Sequence, residues 1–140
     1  MRFFMGRLLG IDYGLKRTGI AYTDDLQLIA SALETVPTEN LIPFIEKYQT
    51  KYQVSGIVLG FPCHLDGNDT HATPLVRELI KKLNTKFPHL PVFLENEFFT
   101  SKIAAQTMGQ AGKKIGKANK HILDQISATL ILQSFLNKKK

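Results

Sequence analysis

A chain of 140 residues is long enough to close one hydrophobic core and too short for two of ordinary size. Its apolar fraction of 44% is that of a globular protein, and a formal net charge of +6 points toward a polyanionic partner. The single cysteine, Cys63, excludes an intrachain disulfide and reads as core or loop filler, and with no Cys/His cluster a structural zinc site is not expected.

Met1 to Met5 carries neither the apolar run nor the cleavage site of a signal peptide. No stretch approaches the roughly 20 apolar residues of a transmembrane helix. A cytoplasmic setting is the expectation. One domain is expected over residues 1–140, with 1–6 and 137–140 as flexible ends.

Arg7 to Tyr13 (RLLGIDY) reads as a short buried strand, ended by the turn at Gly14. Thr18 to Thr23 is a second strand and Ile29 to Val36 a third. The short loops between them favour an antiparallel meander. Thr38 then caps a helix marked by Leu41, Ile42, Ile45, Tyr48 and Tyr52.

Gly56 to Gly60 (GIVLG) is wholly apolar, as in a parallel strand covered on both faces. Phe61 to Asp69 is a loop of turn formers, in which Asp66-Gly67 reads as a turn and His64 as a neighbour of a strand end. Leu75, Val76, Leu79, Ile80 and Leu83 place a second helix, with Thr73-Pro74 near its first turn. Pro91 to Glu95 is the fifth strand. Thr100 to Met108 reads as a third helix, Gly109 to Asn119 as a loop, and Lys120 to Leu136 as the last helix, with Lys138 to Lys140 as a solubilising tail. The order predicts an α/β fold: a mixed five-stranded sheet, three antiparallel strands followed by parallel βαβ units, with helices on both faces.

Three carboxylates stand out. Asp12 lies between Ile11 and Tyr13 in an apolar strand, where a charge costs several kcal/mol unless it is paired or bound to metal. Alternation puts Leu8, Gly10 and Asp12 on one face. Asp124 shares a helix face with Ala128, Ile131 and Phe135, so it points inward rather than to solvent. Glu97 follows the fifth strand, where sites gather in open α/β sheets, and Glu95 is its rival on the same side. Carboxylates gathered by the fold need a cation, and hard oxygen donors suit Mg²⁺ or Mn²⁺.

Between Glu97 and Asp124 there is no acidic residue, while Lys102, Lys113, Lys114, Lys117 and Lys120 all fall there. Such a cationic stretch suits the phosphate backbone of nucleic acid. Lys16 and Arg17, after the Asp12 turn, are placed to do the same.

These residues match a family. Leu9 to Ala21 (LGIDYGLKRTGIA), Ile57 to Gly67 (IVLGFPCHLDG) and Asn119 to Leu136 (NKHILDQISATLILQSFL) resemble the YqgF family of pre-16S rRNA nucleases. That family is similar to Holliday-junction resolvases and has a ribonuclease H-like fold. The resemblance implies that Asp12, Glu97 and Asp124 are the catalytic residues and metal ligands. It favours Glu97 over Glu95 by alignment on the hydroxyls of Thr100 and Ser101. Phe98 stands where the family pattern has an arginine, which removes a bidentate phosphate donor. Ile122 stands where a basic residue is common, and Lys120 can substitute from the preceding turn.

The implied activity is metal-dependent cleavage of structured nucleic acid, in 5′-end processing of pre-16S rRNA, by a monomer or weak homodimer. The alternatives are a non-cleaving nucleic-acid-binding protein on the same fold and a Holliday-junction-type DNA endonuclease. The Gly-Ile-Asp-Tyr-Gly turn also resembles the phosphate loop of sugar kinases, but those need a second half for which 140 residues leave no room.

Overall fold

The computed structural model describes residues 6–61, 73–96 and 117–139. The elements run β1 (Arg7–Asp12), β2 (Arg17–Thr23), β3 (Ala30–Pro37), a 3₁₀ turn (Thr38–Asn40), α1 (Leu41–Gln49), β4 (Val54–Phe61), α2 (Thr73–Lys86), β5 (Val92–Asn96) and α3 (Lys117–Lys139). The five strands form one sheet in the order β3-β2-β1-β4-β5. β1 pairs antiparallel with β2 and β2 with β3, while β4 runs parallel to both β1 and β5. This is the predicted mixed sheet.

The strand pattern sorts the side chains into two layers. Leu9, Ile11, Ile57 and Leu59 face one way and meet Leu41 and Ile45 of α1 and Val76, Leu79 and Leu83 of α2. Leu8, Ala21 and Val58 face the other way and meet Ala128, Ile131, Leu132 and Leu136 of α3. Burying such side chains stabilises by about 1.5–3 kcal/mol each, so both helix layers are held by the sheet rather than by helix propensity. β4 is covered on both faces, as its unbroken apolar run requires: Ile57, Val58 and Leu59 are all fully buried.

Four details differ from the sequence expectation. Thr38 does not cap α1, which begins at Leu41 without a side-chain cap. Its hydroxyl bonds instead to the Gly14 carbonyl at 2.7 Å and the Thr18 hydroxyl at 2.9 Å, tying the end of β3 to the turn after β1. Tyr52 lies beyond α1, not on it, and its ring packs at 4.7 Å from Tyr48 with the Arg7 guanidinium 3.9 Å from its centre. α3 begins at Lys117, three residues before the expected start, and continues through Lys139. Lys138 is no free tail: its ammonium lies 2.9 Å from the Glu95 carboxylate. The helix expected over Thr100 to Met108 and the loops at Phe61 to Asp69 and Gly109 to Asn119 fall wholly or largely outside the described residues, as does Cys63.

Candidate metal and nucleic-acid site

Asp12 ends β1 on the α3 face, two residues after Gly10 and four after Leu8. Its neighbour across the β1–β2 ladder is Gly19, and the neighbour of Gly19 on β3 is Thr35. On the other side, extending the β1–β4 register by one residue sets Asp12 level with Gly60, which pairs with Glu95. One row therefore crosses the whole sheet: Thr35, Gly19, Asp12, Gly60, Glu95. It lies at the carboxyl ends of the parallel strands, where open α/β sheets place their sites.

α3 lies over this row. Its His121 carbonyl accepts a bond from the Thr35 hydroxyl at 2.6 Å. Its Asp124 rests directly on Gly19: a Cβ added there would collide with the Asp124 backbone and approach Asp124 Cβ to 2.9 Å. Gly10 makes a second such seat, where a Cβ would stand 2.8 Å from Leu132 Cβ. Two strand glycines thus let the helix settle onto the sheet, and that close approach sets Asp124 beside the strand position paired with Asp12. In the sequence both glycines stand inside strands, Gly10 on the face of Leu8 and Asp12. Their signal was available, because glycine inside a strand often marks close backbone approach.

Asp124 is turned inward as its helix face predicts, with its side chain 17% exposed. It is the eighth residue of α3, and the first turn of that helix holds no acidic residue. Its position therefore has nothing to do with the helix dipole, whose influence fades within the first turn. Desolvation holds the Asp124 carboxyl above its ordinary pKa, against the opposing pull of Arg17 and His121.

Arg17, expected to meet phosphate, donates its Nε–H to Asp124 Oδ2. Lys16 goes the other way. It lines a cavity of about 440 Å³ on the α1/α2 face with Tyr13, Thr38, Leu41 and Leu79. Two residues adjacent in sequence are thus sent to opposite faces of the sheet. Lys117 and Lys120 fall in the first turn of α3, which puts Lys120 one turn before Asp124.

Glu95, the rival of Glu97, is 4% exposed and already engaged. Ser134 donates to its Oε2 at 2.6 Å and Lys138 lies 2.9 Å from the same oxygen. Its backbone is two strand spacings, roughly 10 Å, from that of Asp12. Glu95 pins the C-terminal half of α3 to β5. Glu97, Lys113 and Lys114 lie outside the described residues, as do Phe98, Lys102, His64 and Asp66. Among the described residues no three His, Cys, Asp or Glu side chains gather at one point. Two of the three predicted ligands, Asp12 and Asp124, are brought to one side of the sheet, and both offer hard oxygen donors of the kind Mg²⁺ and Mn²⁺ take. No described helix is long and apolar enough to cross a membrane.

Comparison with known proteins agrees with this architecture. Residues 6–138 match the profile of the RuvX family, described as Holliday junction resolvase. A protein of Flavobacterium psychrophilum named "Putative pre-16S rRNA nuclease" is 43% identical over 96% of this chain and 99% of its own length. A protein of the same name from Phocaeicola vulgatus is 45% identical over 97% of this chain and 99% of its own. The structure of T. thermophilus RuvC in complex with a Holliday junction substrate superposes with a TM-score of 0.55, covering 94% of this chain and 96% of that one at 13% identity. That likeness supports the ribonuclease H-like fold.

Proposed function

Since the chain belongs to the RuvX family, described as Holliday junction resolvase, we propose that it is a metal-dependent nuclease of structured nucleic acid, with precursor 16S rRNA as its substrate in 5′-end processing. The observation that carries this reading is the seating of Asp124 on Gly19, the cross-strand partner of Asp12. It sets an inward, desolvated carboxylate beside the strand row of Asp12 at the carboxyl edge of the sheet.

Asp12 and Asp124 would hold Mg²⁺ or Mn²⁺, with Glu97 as the third ligand. A bound divalent ion supplies a Lewis acid for the phosphoryl oxygen and lowers the pKa of a coordinated water. The chain's own groups do the rest. The two carboxylates fix the position of positive charge at the row. Lys117 and Lys120 hold the phosphate backbone, together with Lys113 and Lys114. Contacts of this kind are independent of sequence and weaken with salt.

The direct experiment is cleavage of precursor 16S rRNA and of a branched DNA junction in Mn²⁺, comparing the wild type with Asp12→Asn and Asp124→Asn. Cleavage by the wild type and not by the variants supports the reading, and equal rates in all three refute it. Phe98, in the place of the family's arginine, favours a second reading in which the protein binds nucleic acid without cutting. That reading predicts salt-dependent binding and no turnover in the same assay.

A further inference from the structure

Arg17 is the first residue of β2, and it shares the α3 face of that strand with Gly19. Its guanidinium is bonded to the one carboxylate that α3 turns toward the row. The chain has four arginines. Arg7 stands at the opposite end of β1, bonded to the Tyr48 hydroxyl at 2.9 Å and stacked on Tyr52. Arg77 is on α2, across the sheet. Arg2 is outside the described residues. Among the described residues, then, Arg17 is the planar, bidentate-capable cation at this site.

A divalent ion at Asp124 competes with Arg17 for the negative charge of the same carboxylate. The Arg17 side chain is 36% exposed while that of Asp124 is 17% exposed, so the arginine is the partner free to swing out. Charge favours the exchange. A divalent cation brings two positive charges to the carboxylate that Arg17 supplies with one.

We propose that Arg17 is an exchangeable counter-ion: a divalent cation displaces it from Asp124, and the released guanidinium then holds a phosphate of the substrate. It is a positioning residue that couples metal binding to nucleic-acid binding. It supplies from β2 the bidentate phosphate contact that Phe98 cannot make. The inference rests on the reading of Asp12 and Asp124 as metal ligands.

Calorimetric titration with Mn²⁺ separates the two. The proteins are the wild type, Arg17→Ala, Arg17→Lys and Lys86→Ala. The last removes the same charge from a surface pair with Glu46 on the α1/α2 side. Arg17→Ala is expected to bind Mn²⁺ roughly tenfold more tightly, equivalent to about 1.4 kcal/mol. Arg17→Lys should fall between it and the wild type, and it carries the test if the alanine variant does not fold. Lys86→Ala should match the wild type. A structural ion pair would give unchanged or weaker metal binding on substitution, and that result overturns the exchange. If the wild type binds no Mn²⁺, the metal reading fails and the exchange with it.

The second readout is the affinity for a hairpin RNA with cleavage-resistant phosphorothioate linkages, with and without Mn²⁺. Mn²⁺ should strengthen binding several-fold more in the wild type than in Arg17→Ala. An equal gain in both would show that the freed guanidinium takes no phosphate, and would overturn that half.

Discussion

Gly19 lies beneath the backbone of Asp124, so close that a single methyl group would have to displace the helix. Gly19 is also the ladder partner of Asp12, so one small residue sets the spacing between two acidic groups 112 positions apart in the chain. Gly19→Ala should cost about 1–3 kcal/mol in unfolding free energy through overpacking. It should also weaken Mn²⁺ binding, because α3 is pushed from the sheet at the site itself. Chemical denaturation and metal titration check the two effects. A variant that loses stability with metal affinity intact would show that the seat matters only for packing.

Asp124→Asn tests charge separately from shape. The side chain is isosteric, and desolvation already disfavours the ionised form of Asp124. Arg17, left without its partner, is exposed enough to hydrate. Thermal stability should therefore change by no more than about 1 kcal/mol. Cleavage should fall about 100-fold or more if the carboxylate holds the metal. Parallel loss of stability and activity would point to a structural ion pair instead.

Glu95 and Glu97 should behave in opposite ways. Glu95→Ala removes a buried acceptor from Ser134 and Lys138 and should destabilise the protein by about 1–3 kcal/mol. Mn²⁺ affinity should not change. Glu97→Gln should lower Mn²⁺ affinity without the loss of stability expected of Glu95→Ala. Measuring both quantities on both variants decides which glutamate is the ligand.

Asp24 gives a pH dependence remote from the site. Its carboxylate accepts the backbone N–H groups of Ile29 and Leu28, each at 2.9 Å, and organises the β2–β3 turn. These bonds, Ile29's foremost, hold its pKa below the ordinary 3.8. A depressed carboxylate pKa adds stability that is complete above 3.8 and is lost as pH falls through the folded value. The melting temperature of the wild type should exceed that of Asp24→Asn at neutral pH, and the gap should close below pH 3.8. Asp24→Ala, which leaves the Leu28 and Ile29 N–H groups without that acceptor, should cost about 1 kcal/mol at neutral pH.

Much of the architecture was legible in the chain because it follows from local periodicity. The alternation of Leu8, Gly10 and Asp12 against Leu9 and Ile11 assigned the two faces of β1 correctly, since side chains in a strand have no third direction. The Asp124, Ala128 and Ile131 spacing likewise identified the inward face of α3. Local pattern failed where a side chain had a better partner far away in sequence. Thr38 resembles a helix cap but is claimed by Gly14 and Thr18. Lys138 resembles a tail but neutralises a buried glutamate on another element. Lys16 and Arg17 resemble one basic pair, yet lie on opposite faces of the sheet. The sequence by itself determined that Asp12 shares the Leu8 face of the first strand and that Asp124 faces inward on the last helix. Only the tertiary structure decided that Asp124 comes down onto Gly19, that Arg17 is its partner and that Glu95 is engaged by α3. Those outcomes depend on the depth at which a helix seats on a sheet, and that depth is set by the shape of residues on elements distant in the chain.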